Sequence, residues 1–408
     1  MQSIDASTEA WSTGTGVQRS VALAVFLLLP LASLYSSAGG LAFWSLALLG
    51  VWQCLSKRGR LGLSQKTWKL LLLAFLLPVL LNLASVLYFG LPARRLSWIP
   101  FVGALFIVFA VLDSGISIKP VVMGATLASF VLLFITALAL IGYGHERPSL
   151  TMNALLYGKL SIVTMLITAW GLGDEKNRKL RALMFLSLLA GLAALMFTGY
   201  RGGWLALPLI LIALLINPRA PANGSLATMR PKVFAMVLAV LTVTIMSANY
   251  SAVERVQKLV SELQAYDQGV VNNSSVGSRI AMWKSAAQIF SERPVFGIGA
   301  QEYHVRLQQM QEQGSYPADA KLYRHAHNSF LNIAAEYGSI GLLVMSLALI
   351  GLFWLSLTLS NRYRQLCLLL LGCWILMALT NDVFAHQSLL RVMTFGFAVS
   401  LGFGLRSN

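Results

Sequence analysis

The sequence predicts an all-α polytopic membrane protein, and two of its properties support this fold class. Of the 408 residues only 11% are charged and 57% are hydrophobic, with a mean hydropathy of +0.70. About a quarter of the residues in a soluble domain are charged, so this composition excludes a water-soluble globular protein. The apolar runs are also continuous over the roughly 20 residues that a membrane-spanning helix needs, whereas a membrane β-barrel requires alternation.

Apolar windows predict about twelve transmembrane helices. Residues 1–20 form a polar tail without a small-residue cleavage site, so we expect the first span to remain in the protein. The pair of spans around Pro30 and Gly39-Gly40 is consistent with kinked or re-entrant helices. The predicted spans begin near Val21, Leu41, Trp68, Ser97, Pro120, Leu155, Arg181, Gly203, Val233, Ser339, Leu366 and Leu389.

Basic residues cluster in alternate short loops, and this pattern predicts the topology. The positive-inside rule places these loops, and both termini with them, on the cytoplasmic side. The formal net charge of +16 is therefore explained by membrane topology, and no nucleic-acid partner is expected. The clusters are Lys57, Arg58, Arg60, Lys66 and Lys69; Lys176, Arg178, Lys179 and Arg181; Arg219, Arg230 and Lys232; and Arg362 and Arg364.

One long connection, from about Tyr250 to Glu336, is predicted to lie outside the membrane on the opposite side and to fold as a helical cap. Its acidic and basic residues balance, as in an ordinary folded segment. Apolar residues recur at helical spacing in two places, which predicts two amphipathic helices. They are Val253, Val256, Leu259, Val260 and Leu263, and then Ile280, Trp283, Ala286, Ile289 and Phe290. The predicted organisation is a cytoplasmic tail (1–20), nine spans (21–249), the cap loop (250–338), and three spans with a short cytoplasmic tail (339–408).

Positive charge at the outer ends of the helices is not explained by the topology. Together with Arg279 and Arg324 of the cap, these cations are expected to surround an outward-facing cleft suited to an anion, and the arginine fork suits phosphate. Taken singly, each residue is explained equally well by snorkelling to the interface. The residues are Arg94, Arg95, Arg147, Lys159, Arg201 and Arg391.

Arg201 has the strongest local signal among these cations. It lies in Thr198-Gly199-Tyr200-Arg201-Gly202-Gly203-Trp204, between two apolar helices. Glycines allow a tight turn and a close approach of the backbone to a ligand, and a simple helical hairpin would not need the arginine.

His325 and His327 lie where the cap returns to the membrane, in Arg324-His325-Ala326-His327-Asn328. They could form a metal pair, but the stretch lacks a third ligand at recognisable spacing, so no metal site is predicted. A histidine is otherwise the natural general base for a hydroxyl nucleophile, and Asn328 could orient a ring or a substrate. A purely structural role stays open for one histidine; His327 is the preferred base over His325.

These features together suggest a reaction class. A lipid-linked diphosphate sugar needs cations to stabilise the departing diphosphate and one base to activate the acceptor hydroxyl. Arginines can supply the charge that a divalent ion supplies elsewhere. The hypothesis is a metal-free glycosyl transfer at the membrane surface, by direct displacement with inversion at the anomeric carbon.

Three stretches resemble the superfamily of O-antigen ligases and polymerases. They are Tyr200-Arg201-Gly202-Gly203; then Gly277-Ser278-Arg279-Ile280-Ala281-Met282-Trp283 followed by Pro294-Val295-Phe296-Gly297-Ile298-Gly299; and His327-Asn328-Ser329-Phe330-Leu331 leading to Glu336-Tyr337-Gly338. The resemblance is close over the central third of the chain, Thr198 to Leu343. Elsewhere it consists of the helix number and the long late loop.

Within the superfamily the chain is most similar to the O-antigen ligase family. The resemblance implies a GT-C-like, metal-independent membrane glycosyltransferase without a cofactor. It also implies that Arg201 and Arg279 hold the diphosphate and that His327 acts on the acceptor sugar, with His325 as the competing position. The implied donor is O-antigen on undecaprenyl diphosphate, the implied acceptor is lipid A-core, and the implied place is the periplasmic face of the inner membrane of a Gram-negative bacterium.

Other functions remain open at this point. An O-antigen polymerase or a protein O-oligosaccharyltransferase shares the donor chemistry and differs in the acceptor. The outer cations, Arg94, Arg95, Arg147 and Lys159, favour the ligase, because lipopolysaccharide is phosphorylated. A transporter or lipid flippase should place ionisable residues near the middle of the bilayer, whereas those of this sequence are predicted at helix ends.

Overall fold

The computed structural model describes residues 15–56, 62–144, 150–216, 275–384 and 386–407. Within these ranges every regular element is a helix, which confirms the predicted all-α membrane fold. In chain order the helices are α1 (Gly16–Leu34), α2 (Ser36–Ser56), α3 (Gln65–Tyr88), α4 (Pro100–Ser114), α5 (Lys119–Gly142), α6 (Ala154–Leu172), α7 (Arg178–Thr198), α8 (Leu207–Leu215), α9 (Ser275–Glu292), α10 (Tyr303–Glu312), α11 (Ser329–Thr358), α12 (Asn361–Thr380) and α13 (Gln387–Arg406).

Nine helices of the described part are long and apolar enough to cross a membrane, and α4 and the stretch Gly202–Leu215 are shorter apolar helices. Every predicted span that falls on described residues coincides with a helix. Pro30 lies inside α1, and α1 and α2 are two separate candidate spans. The span predicted near Val233 and the first predicted cap helix lie outside the described residues.

The centre of the bundle is formed by α6 and α13. Protein covers 94% of the most apolar window of α6 and 89% of that of α13, against 56% or less in the other candidate spans. A helix that is apolar on all sides is covered by other helices or by lipid, and these two are covered by protein. Since α6 packs against α7 and α8, and α13 against α4, any charged side chain on α6 lies deep inside the protein.

Glycines allow neighbouring spans to pack closely. A Cβ atom at Gly50 of α2 would overlap the Phe106 carbonyl of α4, and one at Gly124 of α5 would overlap the Phe26 carbonyl of α1. Small residues at such contacts are the usual way for membrane helices to gain packing contacts. These two glycines hold the outer helices against the bundle.

Residues 275–328, called the cap segment below, form α9, α10 and the chain that returns to α11. The second predicted amphipathic helix is confirmed as α9, but its buried face is rotated from the predicted one, since Trp283 is exposed and donates a hydrogen bond from Nε1 to the Ala326 carbonyl at 3.0 Å. The cap segment and the start of α11 share a small apolar core. Its buried members are Ala281, Ala286, Ile289, Tyr303, Leu307, Met310, Tyr316, Ala320, Ala326 and Ala335.

The helix α11 is interrupted at Gly338, and the cap segment contacts the bundle at this interruption. Gly338 has φ 66° and ψ −157°, which divides α11 into a short first part and a long apolar second part. The loop after α9 fills the break: the Ile298 amide donates to the Ala335 carbonyl at 3.1 Å, and the Ser339 amide donates to the Pro294 carbonyl at 2.8 Å. The predicted start of this span, Ser339, therefore marks the second part, while the helix itself begins ten residues earlier at Ser329.

Candidate functional site

His327 lies at the turn where the cap segment enters α11. Its backbone is left-handed, with φ 51°. The next residue, Asn328, is the N-cap of α11, and its side-chain oxygen accepts hydrogen bonds from the amides of Phe330 and Leu331 at 3.0 and 3.1 Å. Asparagine is among the preferred N-cap residues because its side chain satisfies these otherwise unpaired amides. The local sequence thus fixes the turn that carries the His327 ring.

The two histidines of this turn lie close to a third, His386, which precedes α13. The ring centroids of His325 and His327 are 4.5 Å apart, and those of His325 and His386 are 5.8 Å apart. Tyr323 covers His327 edge-on at 5.1 Å. The Nδ1 atoms of His325 and His327 are buried and have no hydrogen-bond partner in the described part of the chain. Both nitrogens therefore have an unused hydrogen-bonding position.

Burial keeps the three imidazoles neutral. Burial first, and then the positive charges of His325, Arg279 and Lys159, lower the pKa of His327 from 6.5 to about 3. Burial likewise lowers the pKa of His325 to about 4 and that of His386 to about 3, with Lys159 as the next cause in both. A neutral imidazole keeps a lone pair, so each ring can accept a hydrogen bond from a hydroxyl at neutral pH.

Lys159 of α6 is the buried cation of the site. Its side chain is fully buried, and its Nζ atom has no hydrogen-bond partner among the described residues. Nζ lies 6.0 Å from the centre of the Tyr200 ring, at the edge of cation–π range. A buried ammonium without a partner is costly unless an anion or hydrogen-bond acceptors compensate it. The sequence placed Lys159 among outer cations at helix ends; the structure places it inside, facing the histidines.

Tyr200 and Asp382 form further walls of the site. The Tyr200 hydroxyl lies 3.4 Å from Thr380 Oγ1, and burial raises the pKa of Tyr200 to about 12, so the hydroxyl stays protonated. Asp382 is buried in the turn between α12 and α13, where its Oδ1 atom accepts hydrogen bonds from the Phe384 amide at 2.9 Å and from Ser329 Oγ at 3.2 Å. The negative charge of Asp382 acts on both Lys159 and His327.

The structure describes the side chain of Arg279 but only the backbone of Arg201. Arg279 is exposed on α9, and its positive charge reaches His327 and Tyr200. The Arg201 backbone begins a 3-10 turn, Arg201–Ala206, directly after Tyr200. The Arg201 side chain lies outside the described part. The neighbouring Gly202 is required by packing, because a Cβ atom there would lie 2.8 Å from Thr380 Oγ1.

The remaining predicted cations lie elsewhere. Arg95 donates to Glu302 at 2.7 Å and to the Gln301 carbonyl at 2.6 Å, which ties the cap segment to the turn after α3. Arg391 of α13 donates to the carbonyl of Ser36 at 3.2 Å, at the start of α2. Arg94 is exposed beside Arg95, and Arg147 lies outside the described residues. The structure therefore gathers Lys159, Arg279, His325 and His327, and gives Arg95 and Arg391 protein partners.

Sequence reasoning missed His386 as a site residue. It precedes α13 in a short polar break, Asn381-Asp382 to His386-Gln387, between two apolar runs. Such a break inside a membrane domain was the available signal. Among the described residues, no three His, Cys, Asp or Glu side chains are arranged to hold a metal ion.

Comparison with known proteins finds a family similarity in the part of the chain from α7 to α11. Residues 185–346 match the family model described as O-antigen ligase, a range that contains Arg201, Arg279, His325 and His327. An uncharacterized protein of Haemophilus influenzae is 22% identical over 304 residues, covering 73% of this chain and 74% of that protein. The chain is therefore a polytopic membrane protein in which residues 185–346 are similar to the O-antigen ligase family.

Proposed function

We propose that the protein is an O-antigen ligase. It transfers O-antigen polysaccharide from undecaprenyl diphosphate to a sugar hydroxyl of lipid A-core at the periplasmic face of a Gram-negative inner membrane. The family domain supports a ligase-like or polymerase-like activity in general. One observation carries the specific proposal: an unpartnered, fully buried Lys159 faces a neutral His327 whose Nδ1 is also unpartnered in the described part.

The donor diphosphate is the anion that fits this arrangement. Lys159 is fully buried, Arg279 is exposed, and the charges of both act on His327, so a diphosphate bound beside His327 would meet both cations. Asp382 alone does not balance both cations. Arg201, directly after Tyr200, is assigned to the same diphosphate by its motif, since a guanidinium can make a forked contact with phosphate oxygens.

His327 is the proposed base. It removes the proton of the acceptor hydroxyl while that oxygen attacks the anomeric carbon from the face opposite the diphosphate. The bond from the anomeric carbon to the phosphate oxygen breaks, its electron pair leaves with the diphosphate, and the configuration inverts. The bound diphosphate also compensates the charges of Arg279 and Lys159, which raises the pKa of His327 and makes it a stronger base when the donor is present.

The test offers the purified protein a labelled undecaprenyl diphosphate-linked glycan together with rough lipopolysaccharide. A heavier lipopolysaccharide is the predicted product. A longer donor glycan would instead indicate a polymerase, and glycan on an added acceptor protein would indicate an oligosaccharyltransferase. Movement of the glycolipid across a liposome without covalent change would indicate a flippase. Each of these three results would contradict the ligase assignment.

The control pair for this test lies on α9. Arg279→Ala should abolish the product, whereas Lys284→Ala, which removes another exposed cation of the same helix, should retain it. Equal loss in both variants would show that transfer depends on the general charge of α9 and not on a particular contact.

A further inference from the structure

The loop that follows α9 exposes two adjacent apolar side chains. Val295 and Phe296 are 48% and 53% exposed. The exposed residues of the adjoining helices include Gln288, Glu292, Gln308 and Glu312. Adjacent large apolar side chains that are exposed to solvent indicate a surface that contacts another protein or a membrane.

Hydrogen bonds fix the level of this loop relative to the membrane helices. The amides of Ser339 and Ile340, which begin the long apolar part of α11, donate to the carbonyls of Pro294 and Val295 at 2.8 and 3.3 Å. A Cβ atom at Gly338 would overlap Val295, so the two backbones are in direct contact. The loop therefore lies where the apolar run of α11 starts.

A second helix places the loop at the same level. Tyr88 is the last residue of α3, and its ring stacks on Phe296 with centroids 5.4 Å apart and planes at 25°. Tyr88 is 69% exposed, and Leu87 beside it is also exposed. The apolar surface of the loop is thus continuous with the outer face of a candidate membrane span.

We propose that the loop Pro294–Phe296 inserts into the interface of the bilayer and anchors the cap segment to one leaflet. Val295 and Phe296 would contact the upper acyl chains, and Tyr88 would extend the aromatic belt that membrane proteins place at headgroup level. The adjacent exposed Arg293 suits the same surface, because an arginine can lay its stem along apolar atoms and hold its charge among the lipid phosphates. This membrane contact needs no substrate and is independent of the proposed reaction.

The test measures the surroundings of the loop with a nitroxide label. Val295→Cys is labelled in a Cys54→Ser background, since the other two cysteines, Cys367 and Cys373, are buried. The protein is placed in vesicles of phosphatidylethanolamine and phosphatidylglycerol, and the collision rates of the label with oxygen and with a water-soluble nickel complex are compared. The ratio of oxygen to nickel collisions should be several-fold higher at Val295→Cys than at the control Gln308→Cys, an exposed polar position on α10.

Two results would overturn the proposal. Equal ratios at the two positions would show that the loop faces water. Protection of Val295→Cys from both probes would show that protein, such as a second copy, covers the loop. Phe296→Cys repeats the measurement if the first variant is poorly folded, and Leu87→Cys on α3 gives the ratio for a lipid-facing position.

Discussion

The rings of His325 and His327 lie 4.5 Å apart, yet the two histidines face different charges. The charge of Lys159 lowers the pKa of both histidines, whereas the charge of Arg279 is a cause of the shift for His327 and not for His325. His327 is therefore the histidine on which both the buried and the exposed cation act, and we propose that the diphosphate and the attacking hydroxyl meet beside it. This position favours His327 over His325 as the base.

Replacing the two histidines separately tests this distinction. His327→Gln should lower the rate of transfer at saturating donor by about 10²- to 10⁴-fold, the usual contribution of a general base. His325→Gln should retain most of the rate, because the charge of the exposed Arg279 acts on His327 and not on His325. Single-turnover rates check this. A larger loss in His325→Gln than in His327→Gln would reverse the assignment.

Lys159→Met separates binding from stability. The change removes a buried unpartnered charge and keeps an unbranched side chain, so the thermal midpoint of the protein without substrate should stay equal or rise. Donor affinity should fall by about 10- to 100-fold, because a hydrogen bond to a charged group contributes about 1.5–3 kcal/mol. Scanning calorimetry and a donor-binding titration give the two values. Unchanged donor affinity would remove Lys159 from the site.

Arginine-to-lysine changes test the forked contact with phosphate. Arg279→Lys and Arg201→Lys keep the charge and lose the planar pair of donors, so kcat/KM for the donor should fall by at least about tenfold. Lys284→Arg on α9 is the matched control, since it alters an exposed cation of the same helix and should leave kcat/KM unchanged. Full activity in Arg279→Lys would reduce that residue to a point charge.

Gly338→Ala tests the joint between the cap segment and the bundle. The φ of 66° with ψ −157° suits glycine alone, and the new Cβ would overlap Val295. The free energy of unfolding should fall by about 1–3 kcal/mol or more, the cost of such a conformation. Gly372→Ala in α12, where the new Cβ would meet Leu209 at an ordinary 3.4 Å, should be neutral or stabilising. Equal thermal midpoints for the two variants would show that the backbone at Gly338 does not need glycine.

The buried histidines predict a pH dependence of stability. Their pKa values are lowered to about 3–4 in the folded protein from 6.5, so the unfolded chain binds more protons at mildly acidic pH. Their contribution to stability is complete above pH 6.5 and is lost progressively as the pH falls toward 4. The thermal midpoint should fall over this window, and His327→Gln should flatten the curve. A midpoint that rises on acidification would contradict neutral, buried imidazoles.

Much of the fold could be predicted because long apolar runs specify membrane helices directly. The helix starts are local features, and the predictions near Pro120 and Leu155 fall within one residue of α5 and α6. The start of α11 was predicted late because Gly338 interrupts it, and the sequence does not show that another loop fills the break. Trp283 was predicted on the buried face of α9, but its indole is exposed and donates a hydrogen bond to the Ala326 carbonyl.

The candidate site was predictable where residues share a local motif. Arg201, Arg279, His325 and His327 stand in recognisable stretches, whereas His386 and Asp382 enter only when α12 and α13 pack against α11. The pairing of Arg95 with Glu302, 207 residues away, shows why the outer cations could not be assigned one by one. Their partners depend on the tertiary structure.

Metal-free transfer with His327 as the base is measured most directly as transfer to lipopolysaccharide in EDTA by the wild-type protein and by His327→Gln, each with saturating donor. We expect a heavier lipopolysaccharide band with the wild type, none with the variant, and equal donor binding by both. Loss of the wild-type band in EDTA with recovery on adding a divalent ion would contradict the metal-free mechanism, and a full band with His327→Gln would contradict the proposed base.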